Sequence, residues 1–173
     1  TIYHTIRPFR LMSEEGSDVS FPADSHRITV VNFFFSRCPS FCKEMNKHIE
    51  ELNFKFSKNR LLQFYSITVD PEYDTAPILK EYAAGFKYKT PQWKLLTGGQ
   101  SEIFRIARED FLVDALRDTI AEVNFIHSPM IMLVDPQQRI RGYYNSSNKE
   151  EVDKLTDEIK LLITEELRNV KDR

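Results

Sequence analysis

The chain is poor in cysteine, with two, Cys38 and Cys42, among 173 residues. That count excludes a disulfide-stapled mini-protein and a four-cysteine zinc module. Long apolar runs are also missing, whereas a membrane-crossing helix needs about 20 mostly apolar residues. There is no block of Lys or Arg. Lys and Arg number 24 against 26 Asp and Glu, for a formal net charge of -2 and a pI near 6.1. That balance argues against a nucleic-acid binder. No internal repeat, low-complexity stretch or Gly/Ser linker divides the sequence. The opening TIYHTIRPF lacks the charged start, apolar core and small-residue cleavage site of a secretory leader. A start at Thr1 rather than Met suggests a mature or truncated chain, and composition leaves the compartment open. What remains, 41% hydrophobic and 29% charged, is an ordinary globule with material for a core, expected as one domain over residues 1–173.

Residues 1–28, broken by Pro8, Gly16 and Pro22, read as a short extended segment, a turn and a loop. Residues 29–36 (TVVNFFFS) form a near-continuous β-branched and aromatic run, as in a strand buried on both faces. A helix should follow with Pro39 in its first turn. Met45, Ile49, Leu52 and Phe56 would be its core stripe, ending near residues 59–60. Residues 61–69 read as the next strand. A second helix carries Ile78, Leu79, Tyr82 and Phe86, with Asp74 or Thr75 as its cap. Residues 93–96 suggest a short strand and 103–107 a helix, while 110–126 are ambiguous. A strand at 130–134 turns back as a hairpin arm at 140–144. A long amphipathic helix starts near residue 149, with Val152, Leu155, Ile159, Leu162, Ile163 and Leu167 on one face. The order predicts an α/β fold, a central mixed sheet flanked by helices, similar to the thioredoxin-like sandwich.

Two cysteines placed at random would fall this close in about one chain in twenty, so their spacing calls for a reason. They follow a buried strand directly, and in open α/β folds the reactive surface lies beyond the carboxyl ends of the strands. A helix N-terminus there favours a thiolate at Cys38, with Arg37 next to it. Cys42 should be the more protected thiol. Helical residues at i, i+4 have Cβ atoms about 5–6 Å apart, against about 3.5–4.5 Å in a disulfide. The spacing therefore suits a metal clamp, and a disulfide after local adjustment. A pair of inert structural thiols is the plainer alternative.

Of the four histidines, His4 and His26 fall in polar, loop-like segments, and His48 is well off the face of Cys42. His127, in FIHSPMIMLVDP, just precedes a buried strand. In a thioredoxin-like domain the loop there approaches the cysteine helix. Cys38, Cys42 and His127 are accordingly the candidate metal ligands. Two sulfurs suit Cu(I), and the added nitrogen also accommodates Cu(II). Zinc fits the ligand types as well, but a closed structural zinc site has four protein ligands. Met45 offers a thioether but belongs to the core stripe.

Taken together, CPSFC after VVNFFFS, then ITVDPEYDT, LLTG, and FIHS before MIMLVDPQQRIRGYY resemble the Sco/SenC family over nearly the whole chain. The resemblance implies a thioredoxin-like fold with a copper site on Cys38, Cys42 and His127. It implies a monomer tethered to a membrane through an anchor absent from this sequence, on the periplasmic or extracytoplasmic face. The implied role is to deliver copper to, or reduce the thiols of, the dinuclear copper centre of cytochrome c oxidase. Departures are Lys43, where the family often has Pro, and Gln137-Gln138, where the turn often carries Gly.

Asp70, in VDPEYDT, admits two readings, a carboxylate that docks a partner or orients a ligand, and a turn residue. Asp74 reads as a helix cap. Pro129 falls where thioredoxin-like folds often hold a cis-proline, and the sequence leaves its isomer open. Other activities compatible with the cysteine pair are a general thiol-disulfide oxidoreductase acting on another thiol protein and a redox sensor. Two cysteines in one helical turn speak against a peroxidase.

Overall fold

The computed structural model describes residues 3–23, 26–113 and 128–171. The first departure from expectation is at the start, where the extended segment and turn are followed not by a loop but by a second strand, closing a hairpin. Strand β1 (Phe9–Ser13) pairs antiparallel with β2 (Asp18–Phe21), Phe9 opposite Phe21 and Leu11 opposite Val19. These four side chains alternate inward, and the Phe9 and Phe21 rings stack at 4.9 Å. Gly16, at φ +78°, turns the chain between them, a conformation that costs glycine little. The strands are too short for alternation to stand out in a proline-broken segment.

Strand β3 (Ile28–Phe34) is buried at every position. Helix α1 (Cys42–Lys55) follows after a turn, not directly, so Pro39 lies before the helix rather than in its first turn. Met45, Ile49 and Leu52 face inward as expected, joined by Asn46 and Asn53. Strand β4 (Leu62–Thr68) runs parallel to β3, from Ile28 opposite Leu62 to Phe34 opposite Thr68, and is buried throughout. Burial on both sides requires cover on both faces of the sheet. Helix α2 (Ala76–Ala83) packs on strand β5 (Trp93–Thr97), which is parallel to β4 and antiparallel to β1.

Helix α3 (Gln100–Arg105) passes into a π-turn over Ile106–Asp110. Asp110 holds this turn to the N-terminal segment, accepting from Arg7 N (3.1 Å) and Nε (2.9 Å) and from Arg105 Nη1 (3.0 Å). Of the ambiguous stretch at 110–126, residues 114–126 lie outside the described residues.

Strand β6 (Met130–Val134) is antiparallel to β3 and turns into β7 (Ile140–Asn145). Gln138 in that turn has φ +62°, where the Sco/SenC resemblance often has glycine. Among the described residues the cis peptide bond is Phe21–Pro22, not one at Pro129. Helix α4 (Lys149–Lys171) packs against β7. Its buried stripe runs from Val152 to Ile163 and then passes to Glu166, leaving Leu167 exposed, contrary to expectation. The result is an α/β fold with a mixed sheet in the order β2-β1-β5-β4-β3-β6-β7. Its centre is parallel, and the cysteines follow its most buried strands.

Candidate functional site

Because β3 and β4 are parallel and in register, the loops leaving their C-terminal ends start side by side. Val69 N extends the pairing, donating to Phe34 O at 2.8 Å. One loop carries Ser36, Arg37 and Cys38, and the other Asp70, Tyr73 and Asp74. β6 also begins at this end of the sheet, with Ile131 opposite Asn32.

Asp74 joins the two loops. It is fully buried and is not a cap. Thr75 precedes α2, with no side-chain cap hydrogen bond. The Asp74 carboxylate accepts from Ser36 N (3.0 Å), from the Ser36 hydroxyl and from Thr68 Oγ1 (2.5 Å). Thr68 Oγ1 in turn accepts from Asp70 N at 3.0 Å. A buried carboxylate needs such donors in place of lost water. Ser36 and Asp74 are 38 residues apart, so sequence reading had only the local cap chemistry of Asp-Thr to follow.

Asp70 is nearly as buried and accepts from Arg37 Nη2 at 2.8 Å. The Arg37 guanidinium lies over the Tyr73 ring, 3.9 Å from its centroid. Asp70 raises the pKa of Arg37 further, so this cation is permanent. The carboxylate therefore holds the residue immediately before Cys38.

The two thiols are free and lie in different surroundings. Cys38 is half-buried in the turn, its N–H donating to Phe35 O (3.1 Å) and its sulfur 3.6 Å from Ser40 Oγ. Cys42 is buried as the first residue of α1, with the Cys38 side chain as a neighbour. Burial pushes the Cys42 thiol pKa up, and the neighbouring Cys38 side chain adds to this, while a backbone hydrogen bond from Phe35 works against it. Since Cys38 precedes the helix, the Cβ spacing of a regular helical pair does not apply.

Beneath the thiols a polar chain crosses the sheet. Trp93 Nε1 donates to Ser66 Oγ (2.9 Å) and Ser66 Oγ to Asn32 Oδ1 (2.6 Å). Asn32 Nδ2 donates to Asn46 Oδ1 (2.8 Å), and Asn46 Nδ2 to the Tyr82 hydroxyl (2.9 Å). Burial pushes the Tyr82 pKa up to about 12, so its phenol stays neutral. This chain fixes α1 on the sheet, and its one sequence signal was a lone Asn within the apolar run of β3.

His48 sits by Glu44 (3.9 Å) and Glu51 (3.7 Å). His4 O accepts from Ile140 N, and His26 precedes β3, so both lie at the other end of the sheet. Met45 is fully buried. His127 lies outside the described residues. Among the described residues no three of His, Cys, Asp and Glu are grouped to hold a metal. The described site thus offers two soft sulfur donors, one facing solvent and one facing the core.

The chain matches the SCO1/SenC family model over residues 2–164. BsSco, described as having a disulfide switch and as a member of the Sco family of cytochrome c oxidase assembly proteins, is 27% identical, with a TM-score of 0.77 over 93% of this chain and 94% of its own. A SCO1/SenC family lipoprotein from Bacillus anthracis is 25% identical, with a TM-score of 0.78 over 92% and 95%. Arabidopsis thaliana ScoI with copper bound is 26% identical, with a TM-score of 0.71 over 93% and 99%. The chain spans 82% of the length of the Bacillus subtilis SCO1 protein homolog, but 44% and 56% of mitochondrial relatives from Arabidopsis thaliana and Saccharomyces cerevisiae. Among the described residues no helix is long and apolar enough to cross a membrane. With the family model covering nearly its whole length, this thioredoxin-like chain belongs to the SCO1/SenC family.

Proposed function

We propose that this chain is a copper-binding metallochaperone whose metal handling is coupled to thiol redox chemistry. Copper is its cargo, bound as Cu(I) by reduced Cys38 and Cys42 with His127 as third ligand. The observation that carries this reading is the pair of free thiols at the end of β3, in a chain similar to a ScoI with copper bound. Two sulfurs suit Cu(I), and the imidazole extends the site to Cu(II). Binding displaces the thiol protons, and the raised pKa of Cys42 makes loading stronger as pH rises. Oxidation of the pair to a disulfide removes both sulfur ligands, so the thiols must be reduced before the metal enters. The recipient is a copper-receiving subunit of cytochrome c oxidase, the assembly named for the family of BsSco. The chain acts as a monomer and one domain. It works at an extracytoplasmic membrane face, as the similarity to a Bacillus anthracis lipoprotein supports.

A second reading, thiol-disulfide exchange or redox sensing, is favoured by the contact between the thiols and by the disulfide switch of BsSco. Cys38 would attack a target disulfide and Cys42 would resolve the mixed disulfide. Two electrons pass to the target, which leaves reduced while the pair is oxidised.

Anaerobic reconstitution of the reduced protein with copper and zinc in competition separates the readings. The metallochaperone reading expects one tightly held copper per chain and weaker binding in His127→Ala. Unchanged affinity in that variant removes His127 from the site. Weak copper binding together with a trapped mixed disulfide in Cys42→Ser supports the second reading.

A further inference from the structure

The Arg37 side chain is 55% exposed, yet it is held from two directions. Its Nη2 donates to Asp70, whose side chain is only 7% exposed, and its guanidinium plane rests on Tyr73 at 3.9 Å. An exposed arginine normally samples many rotamers, and ordering it costs conformational entropy. Here that ordering is already done by a buried carboxylate and a ring. Asp70 is fixed in turn, since its N–H donates to Thr68 Oγ1 in the hydrogen-bonded group around Asp74. Tyr73 is itself 43% exposed, so the stack presents an open flat surface. Among the described residues, Arg37 Nε and Nη1 make no hydrogen bond, so each is open to a further acceptor. All of this sits one residue before the half-exposed thiol.

We infer that Arg37, ordered by Asp70 and Tyr73, is a docking cation that selects partners carrying a carboxylate beside the group that approaches Cys38. The occupant is an acidic protein loop, because the planar, fixed guanidinium keeps donors open that take a carboxylate in charge-assisted hydrogen bonds at short range. The inference rests on the reading that Cys38 is the sulfur a partner meets. It names that partner's chemistry, an acidic rim around a thiol or metal-ligand site. Asp70 and Tyr73 act as positioning residues, and Arg37 makes the contact.

The test uses metal-free reduced protein and two short peptides, each with one cysteine as its 2-thiopyridyl mixed disulfide. The peptides differ only in having Glu or Gln on both sides of that cysteine. Cys38 sulfur attacks the peptide sulfur, the bond to the pyridine sulfur breaks, and pyridine-2-thione leaves carrying the thiol's proton. Cys38 is oxidised into the new disulfide and the pyridine sulfur is reduced. The released thione is read by absorbance.

At low salt the Glu peptide reacts about tenfold faster than the Gln peptide, a ratio that shrinks as salt screens the contact. Arg37→Gln brings the ratio to one and Arg37→Lys retains part of it. Tyr73→Leu lowers it with the charge still present. A change in the thiol's intrinsic reactivity affects both peptides alike and cancels in the ratio. The exposed neighbours Lys43 and Glu72 are the same in every variant. Equal rates in the wild type, or a ratio that survives Arg37→Gln, overturn the inference. Since no copper is present, that failure is separate from failure of the metallochaperone reading, which the reconstitution detects.

Discussion

Cys38 and Cys42 are four residues apart but belong to two different regions. Cys38 sits on a rim with Arg37 and Tyr73, half-exposed, in a turn rather than a helix. Cys42 sits on a floor with Met45, Asn46 and Asp74, where nearly every polar atom is paired. The rim is the side open to an approaching partner. The floor sets the position of both sulfurs and contributes much to folding. A single turn thus couples a reactive surface to a rigid base, an arrangement suited to accepting and releasing a metal without reorganising the core.

Breaking the floor should have the largest effects. Met45→Ala should cost about 3–4 kcal/mol, as for large-to-small changes at fully buried sites, seen as a lower urea midpoint. Asp74→Ala, which leaves the Ser36 and Thr68 donors unpaired, should cost about 3 kcal/mol. That lowers Tm by about 6–12 °C for a chain of this size and speeds proteolysis in the Ser36–Cys38 loop. Retention of full stability would remove Asp74 from the floor.

The thiols themselves sharpen the contrast through pH. Burial raises the folded pKa of Cys42 above its unfolded value, which is near 8.5. The stability this proton provides is fully present below that value and declines as pH rises above it, by at most about 1.4 kcal/mol per pH unit. Tyr65 and Tyr82, both pushed up to about 12, act in the same direction only above the ordinary tyrosine range. A urea midpoint that falls between about pH 8.5 and 10, and no longer does so in Cys42→Ala, is the expected result. In native reduced protein, alkylation should modify Cys38 at least about tenfold faster than Cys42, following exposure, as peptide mapping over time would show.

The smallest effect on folding belongs to the rim. Arg37→Gln should lower the urea midpoint by less than either floor variant, because the arginine itself is 55% exposed although its partner Asp70 is buried, while abolishing the peptide discrimination described above. A large loss of stability would place Arg37 in the floor and erase the distinction.

How much of this was legible depended on whether the signal was local. The run that became β3, the stripe of α1, the β6–β7 hairpin and most of α4 were readable, because period and burial are written in consecutive residues. The second arm of the β1–β2 hairpin was lost because it holds only four residues, next to turn formers. The late start of α1 was missed because Pro39 fits both a first helical turn and a bend before it. Asp74 was misread because its partners arrive from β3 and β4, and nothing local announces them. The stacking of Arg37 on Tyr73 is tertiary in the same way. At the site itself, the cysteine spacing and the apolar strand before it marked the place, while the polar floor that supports it emerged from the fold.

The central claim, that Cys38, Cys42 and His127 together hold Cu(I), is tested most directly by X-ray absorption at the copper edge on protein reduced and loaded without oxygen. The predicted result is one copper per chain with two sulfur neighbours and one imidazole nitrogen, the nitrogen disappearing in His127→Ala. Copper bound without sulfur, or an unchanged spectrum in that variant, would contradict it.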